Sequence, residues 1–180
     1  LASDYLLTKR NLGLVNNVDA ALVEMAARTT GPLILFPPAA TTRALKSALR
    51  HREVLEVGRG PGRDGMISLD AASDLPFDGV AVIASPGDPL GSLLVANDAV
   101  RLARSCAWLV IDERYAEYAG QSLLNVASEF PNVIVLRSFQ ARLGVTEVNA
   151  GWVVGSPRAR DLLAGVASPL TLGIATATLA

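Results

Sequence analysis

Three apolar runs, Val80–Ala84, Ala107–Asp112 and Val133–Ser138, are separated by segments long enough for one helix each. Strands buried on both faces of a sheet read as unbroken apolar runs, and successive parallel strands need a crossover of a dozen or so residues, usually helical. Leu93–Ser105 and Ser122–Phe130 supply such crossovers. Upstream, Asp19–Arg28 carries Ala21, Leu22, Met25 and Ala26 at helical spacing, with Asn17 or Asp19 available as a cap. A strand follows at Leu33–Phe36, stopped by Pro37-Pro38, then a helix at Thr41–Arg50 with Ala44, Leu45 and Ala48 on one face, and a strand at Val54–Val57. Gly58–Gly65 reads as a glycine- and proline-rich loop and Met66–Ala72 as a short connector. Trp152–Val154 forms the core of a last strand, with helices expected at Arg158–Val166 and Leu172–Leu179. The alternation predicts a three-layer α/β fold, a mostly parallel sheet with helices on both faces, as one domain over residues 1–180.

Composition narrows the function. The 180 residues are 51% hydrophobic, enough for one substantial core, and above the usual range in a way that suggests a buried interface. Sixteen basic against 17 acidic residues leave a net charge of -1, so no basic footprint for nucleic acid is expected. The apolar runs fall far short of the roughly 18 to 20 residues of a membrane-spanning helix. A lone cysteine, Cys106, excludes an internal disulfide framework and suits a reducing, cytoplasmic setting, where it reads as a small buried filler. The chain starts at Leu1 without a charged leader or signal-like segment, and reads equally as a short gene product or as a piece of a longer one.

Other chemistries find little support. One histidine and one cysteine cannot build a metal cluster, and no Gly-x-Ser-x-Gly elbow accompanies His51, which sits in a basic stretch at a helix end. Gly58-Arg59-Gly60-Pro61-Gly62 lacks the Gly-Lys-Ser/Thr ending of a phosphate loop and reads as a surface turn. Arg158 with Arg160, and Glu53 with Glu56, are expected on solvated faces.

The strand carboxyl ends carry the chemistry. Val110-Ile111-Asp112-Glu113-Arg114-Tyr115 and Val133-Ile134-Val135-Leu136-Arg137-Ser138-Phe139-Gln140-Ala141 each pass from apolar to polar residues where an open α/β sheet places its ligands. The order Asp-Glu-x-Tyr, helix, Pro-Asn, apolar run, Leu-Arg-Ser-Phe resembles the class I/II aminotransferases, fold-type I enzymes that use pyridoxal phosphate. Within them it is similar to the branch of histidinol-phosphate aminotransferase and threonine-phosphate decarboxylase. The resemblance covers nearly the whole chain but only the family's large, cofactor-binding domain. It implies that the smaller carboxyl-terminal domain, which closes over substrate, lies outside this sequence.

Residue by residue, the resemblance implies a cofactor site with losses. Asp112 matches the carboxylate that pairs with the protonated pyridine nitrogen, Tyr115 the phenol near the cofactor oxygen, and Ser138 the first phosphate-binding hydroxyl. Each also has a plain role open to it: strand-end cap, packing residue and loop hydroxyl. Asn16-Asn17-Val18-Asp19-Ala20 resembles the segment whose helix amino terminus holds the phosphate, without its glycines. Gly31–Pro38 resembles the segment leading to the aromatic residue that stacks on the ring, with Ala40 at about that position. Ser85-Pro86-Gly87-Asp88-Pro89-Leu90-Gly91 resembles Asn-Pro-Asn-Asn-Pro-Thr-Gly, with Asp88 replacing the asparagine that donates to the phenolate oxygen, a donation a carboxylate cannot make. Asn149 stands where the family has a phosphate-binding arginine, and Ala141 where it has the lysine that forms the imine. Lys9 and Lys46 are the only lysines, and neither lies at that strand end.

These departures point to a catalytically degenerate aminotransferase-like domain that acts by self-association or through a protein partner, with a homodimer as the family's default. Pyridoxal phosphate is the implied cofactor, without covalent attachment here. The alternatives are an active pyridoxal phosphate aminotransferase or decarboxylase for an amino acid or a phosphorylated amino-acid-like substrate, which a lysine at position 141 would revive, and a small-ligand binding module using a remnant pocket near Asp88, Asp112, Tyr115 and Ser138.

Overall fold

Every side chain of β6 (Val80–Ala84), β7 (Trp108–Asp112) and β8 (Val133–Ser138) is buried, as the unbroken apolar runs require. The computed structural model describes residues 11–58, 60–61, 67–69, 75–144 and 149–163. These form β1 (Leu12–Val15), α1 (Val18–Ala27), β2 (Leu33–Leu35), α2 (Ala40–Ala48), β3 (Val54–Glu56), β4 (Gly60–Pro61), β5 (Ile67–Ser68), β6, α3 (Ala96–Ser105), β7, α4 (Ala116–Ala119), α5 (Leu124–Glu129), β8, α6 (Phe139–Leu143), β9 (Gly151–Gly155) and α7 (Pro157–Asp161).

Seven strands make one sheet in the order β1-β9-β8-β7-β6-β2-β3. β3, β2, β6, β7 and β8 are mutually parallel, and β9 runs antiparallel to both of its neighbours. Because strand side chains alternate, the sheet divides its residues between two cores. Ile34, Ala81, Ile83, Leu109, Ile111, Val133, Val135, Trp152 and Val154 pack with α3 and α5. Leu33, Leu35, Val80, Val82, Val110, Ile134, Leu136 and Val153 pack with α1 and α2. Both faces are therefore covered, and each fully buried aliphatic side chain contributes about 1.5–3 kcal/mol relative to exposure.

The helices follow from their apolar spacing. In α1, Val18, Ala21, Leu22, Met25 and Ala26 are buried at i, i+3, i+4, i+7 and i+8. Asn17 caps it, its side chain accepting from the Ala20 N–H at 2.8 Å, which settles the choice between Asn17 and Asp19. α3 begins at Ala96 rather than Leu93, because Val95 is still extended, and the Leu94 N–H before it is met by Ser85 Oγ at 3.0 Å. The expected loop and connector contribute β4 and β5, which pair antiparallel as Gly60–Ser68 and Pro61–Ile67. The helix expected from Arg158 is described as α7 only to Asp161, and that expected over Leu172–Leu179 lies outside the described residues. Besides β4 and β5, three described elements escaped the sequence reading: β1, which pairs with β9 at the sheet edge, and the short helices α4 and α6.

Candidate functional site

The parallel strands deliver two polar clusters at their carboxyl ends, one on each face. Asp112 ends β7 with the same parity as Val110, so its side chain faces α1 and α2. It is 1% exposed. Thr41, in the first turn of α2, donates its hydroxyl to Asp112 Oδ2 at 2.6 Å. Arg114, two residues on, donates its backbone N–H to Oδ1 at 3.2 Å and its Nε–H to both carboxylate oxygens at 3.0 Å. The other end of that guanidinium reaches Asp19 in the first turn of α1, Nη1 to Oδ1 at 2.8 Å, and Asn149 Nδ2 approaches the second oxygen of Asp19 at 3.5 Å.

Arg114 is thus the hub of the cluster. Its side chain is 19% exposed, and Nη2 is buried without a partner among the described residues. Burial works against its charge, but the carboxylates of Asp112 and Asp19 more than offset this and hold its pKa above the ordinary guanidinium value. Sequence reading missed Arg114 and Thr41. The position between Glu113 and Tyr115 carries no motif signal, and Thr41 meets Asp112 across 71 residues of chain.

Ala40, Thr41, Ala84, Pro86, Asp88, Asp112, Arg114 and Tyr115 line the space in front of this cluster. Asp88, Asp112 and Tyr115, singled out from sequence, are therefore brought together, beside Ala40. The cavity among them measures about 20 Å³, room for about one water molecule. Ser138 does not join them. Its hydroxyl caps α6, accepting from the Gln140 N–H at 3.0 Å. Ala141 is half-buried within α6.

The second cluster lies on the α3–α5 side. Glu113 is buried and accepts from Leu123 N at 2.5 Å, Ser122 Oγ at 2.7 Å and Arg137 Nη1 at 3.0 Å. Arg137, also buried, bonds Glu117 at 2.7 Å and stands 5.7 Å from the Trp152 ring centre. Burial pushes the Glu113 carboxyl above its ordinary pKa, against the opposing pull of Ser122, Leu123 and Arg137. A roomier cleft of about 240 Å³ adjoins it, lined by Ser85, Leu94, Val95, Ala96, Glu113 and Ser122 among others. Glu113 already has three donors, so this cluster reads as a structural brace. Among the described residues no group of three or more potential metal ligands occurs and no helix is long and apolar enough to cross a membrane.

Comparison with known proteins agrees with this architecture. The family model for aminotransferase class I and II matches residues 68–180. The histidinol-phosphate aminotransferase of Thermococcus gammatolerans is 29% identical over 181 residues, covering 99% of this chain and 52% of its own length. That of Chlorobium phaeovibrioides is 37% identical over 90 residues, 49% of this chain and 24% of its own. Two solved structures share the fold. L-threonine-O-3-phosphate decarboxylase from Porphyromonas gingivalis superposes with a TM-score of 0.77 at 18% identity, over 99% of this chain and 54% of its own. Histidinol-phosphate aminotransferase from Sinorhizobium meliloti, in complex with pyridoxal 5′-phosphate, superposes at 0.73 and 18% identity, over 95% and 49%. The chain spans about half the length, or less, of these proteins, and its seven-stranded sheet is that of the large domain of fold-type I pyridoxal phosphate enzymes. By sequence and by fold, the chain belongs to the class I and II aminotransferase family.

Proposed function

We propose that this is a catalytically degenerate aminotransferase-like domain that acts by associating with a second copy of itself or with another protein. The observation that carries the reading is Ala141 at the position of the family's lysine, reinforced by the engagement of Asp112 with the protein's own groups. Transamination requires an amine that holds the cofactor as an imine and later moves a proton, and a methyl group does neither.

The residues present do not fit pyridoxal phosphate. A carboxylate offers about four lone-pair positions. Those of Asp112 meet Thr41 Oγ1, the Arg114 N–H and Arg114 Nε–H on both oxygens. Ala40 gives no stacking face, Asp88 gives no donor, and Asn149 is already turned to Asp19.

Association is supported by the surface beside the pocket. Leu90 is 69% exposed and Tyr118 73%, and Tyr118 stacks with the partly exposed Tyr115 at 6.5 Å between ring centres. Exposed aromatic and aliphatic groups of this kind characterise interface cores. The test is an absorbance titration with pyridoxal phosphate, followed by borohydride reduction and mass analysis, with light scattering on the same sample. The expected result is no reduced adduct on any lysine and a mass above that of the monomer. An adduct on Lys9 or Lys46 with turnover of an amino acid refutes degeneracy, and a monomer at high concentration with no captured partner refutes association.

A further inference from the structure

We propose that Arg114 and Asp19 together form an internal substitute for the cofactor, with the guanidinium as permanent counter-ion of Asp112 and the Asp19 carboxylate as the anion at the amino terminus of α1. The inference rests on the reading of the domain as one that works without pyridoxal phosphate. It adds what holds the site in place of that molecule and what keeps the molecule out.

A buried carboxylate needs a cation, since an unpaired charge in the protein interior is strongly disfavoured. At 1% exposure Asp112 has one within reach, the Nε–H of Arg114 at 3.0 Å from both oxygens. Arginine does not lose its proton in proteins, so this partner is present at every pH at which the fold exists. A protonated ring nitrogen approaching Asp112 meets a fixed positive charge already on the same carboxylate.

The other end of the arrangement is filled as well. The family resemblance implies a cofactor phosphate at the amino terminus of α1, and there Asp19 holds its carboxylate 2.8 Å from Arg114 Nη1. Asn149, which is 3.5 Å from the second Asp19 oxygen, adds an amide donor but no charge. An incoming phosphate therefore meets a fixed negative charge. A cation at the ring end and an anion at the phosphate end are the two charges that a protonated phosphorylated pyridine would bring.

The probe for the test is 4′-deoxypyridoxine phosphate, which carries the ring nitrogen and phosphate but no aldehyde and so reports the pocket without lysine chemistry. Binding to the full chain is followed by calorimetry and by quenching of tryptophan fluorescence. The wild type is expected to show no saturable binding. Arg114→Ala is expected to bind saturably, at least about ten-fold tighter than the weakest affinity the wild-type titration could have detected, and adding Asp112→Asn is expected to abolish the gain. Should Arg114→Ala not fold by circular dichroism, Arg114→Gln keeps a neutral donor beside Asp112 and is expected to give a smaller gain in the same direction. Saturable binding by wild type equal to that of the variants, or no gain in any folded variant, overturns the proposal. Failure of the underlying reading shows elsewhere, as a borohydride-fixed adduct or turnover by the wild type with pyridoxal phosphate itself.

Discussion

Deleting the Arg114 side chain should be the costliest change in its cluster, and by an amount the geometry sets. In Arg114→Ala the Asp112 carboxylate, 1% exposed, keeps only the Thr41 hydroxyl and one backbone N–H. Removing one member of a buried pair leaves an uncompensated charge and costs about 3–5 kcal/mol. Asp112→Ala should cost less, about 1–3 kcal/mol, because Arg114 is 19% exposed and retains Asp19, so the main loss is the partner of Thr41. The double variant leaves no orphaned charge, and its cost should fall below the sum of the singles by about 1.5–3 kcal/mol. Equilibrium unfolding in guanidinium, read by the fluorescence of buried Trp108 and Trp152, measures all four corners. For a chain of this size the melting temperature of Arg114→Ala should drop by about 10 °C. Singles that add to within about 0.5 kcal/mol would show an ordinary surface bridge and sink the reasoning.

Other expectations are independent of that pair. Gly151→Ala should destabilise by about 3 kcal/mol or more, since its Cβ would lie 2.0 Å from the Arg137 carbonyl oxygen and 2.8 Å from Val18 Cγ2. Gly155→Ala, meeting Ala159 Cβ at 2.8 Å and Val133 O at 3.2 Å, should cost less, and the reverse order in a thermal melt would contradict the packing. Burial pushes the Cys106 thiol up from 9.0 to about 11, so native alkylation near pH 8 should run about a hundred-fold slower than in unfolded chain; rapid native labelling would refute this. The Glu113 carboxyl is raised by burial, so the stability tied to its proton is complete below the ordinary value of 4.5 and is lost as pH rises through its value in the fold. The wild-type melting temperature should therefore fall with pH more steeply than that of Glu113→Gln, and superimposable pH slopes would count against the shift.

The sheet was legible where strands are buried on both faces. Val80–Ala84 and Val133–Ser138 match the observed strands residue for residue, because nothing but a central strand buries five or six consecutive side chains there. β1 was illegible for the opposite reason. Three of its four residues are only half-buried at the sheet edge and Gly13 interrupts them, so neither alternation nor an apolar run marks the strand. α4 and α6, at four and five residues, are too short to display a helical period. At the site, a family pattern singled out Asp112, Tyr115 and Asp88, which the fold brings to one pocket. It also singled out Ser138, which stands apart from that pocket with its hydroxyl accepting from the backbone of α6. It was silent on Arg114, whose meaning depends on Asp19, 95 residues away in sequence.

That separation has a kinetic consequence. The links at the strand carboxyl ends join residues 71, 95 and 130 positions apart, Thr41 with Asp112, Asp19 with Arg114 and Asp19 with Asn149. Contacts of such sequence distance require large loops to close first, and local helices and neighbouring strands form well before them. The cluster is therefore expected to be absent from the folding transition state and present only once the sheet is complete. Its side chains then act as a latch on the finished domain, retarding unfolding while leaving the refolding rate nearly untouched.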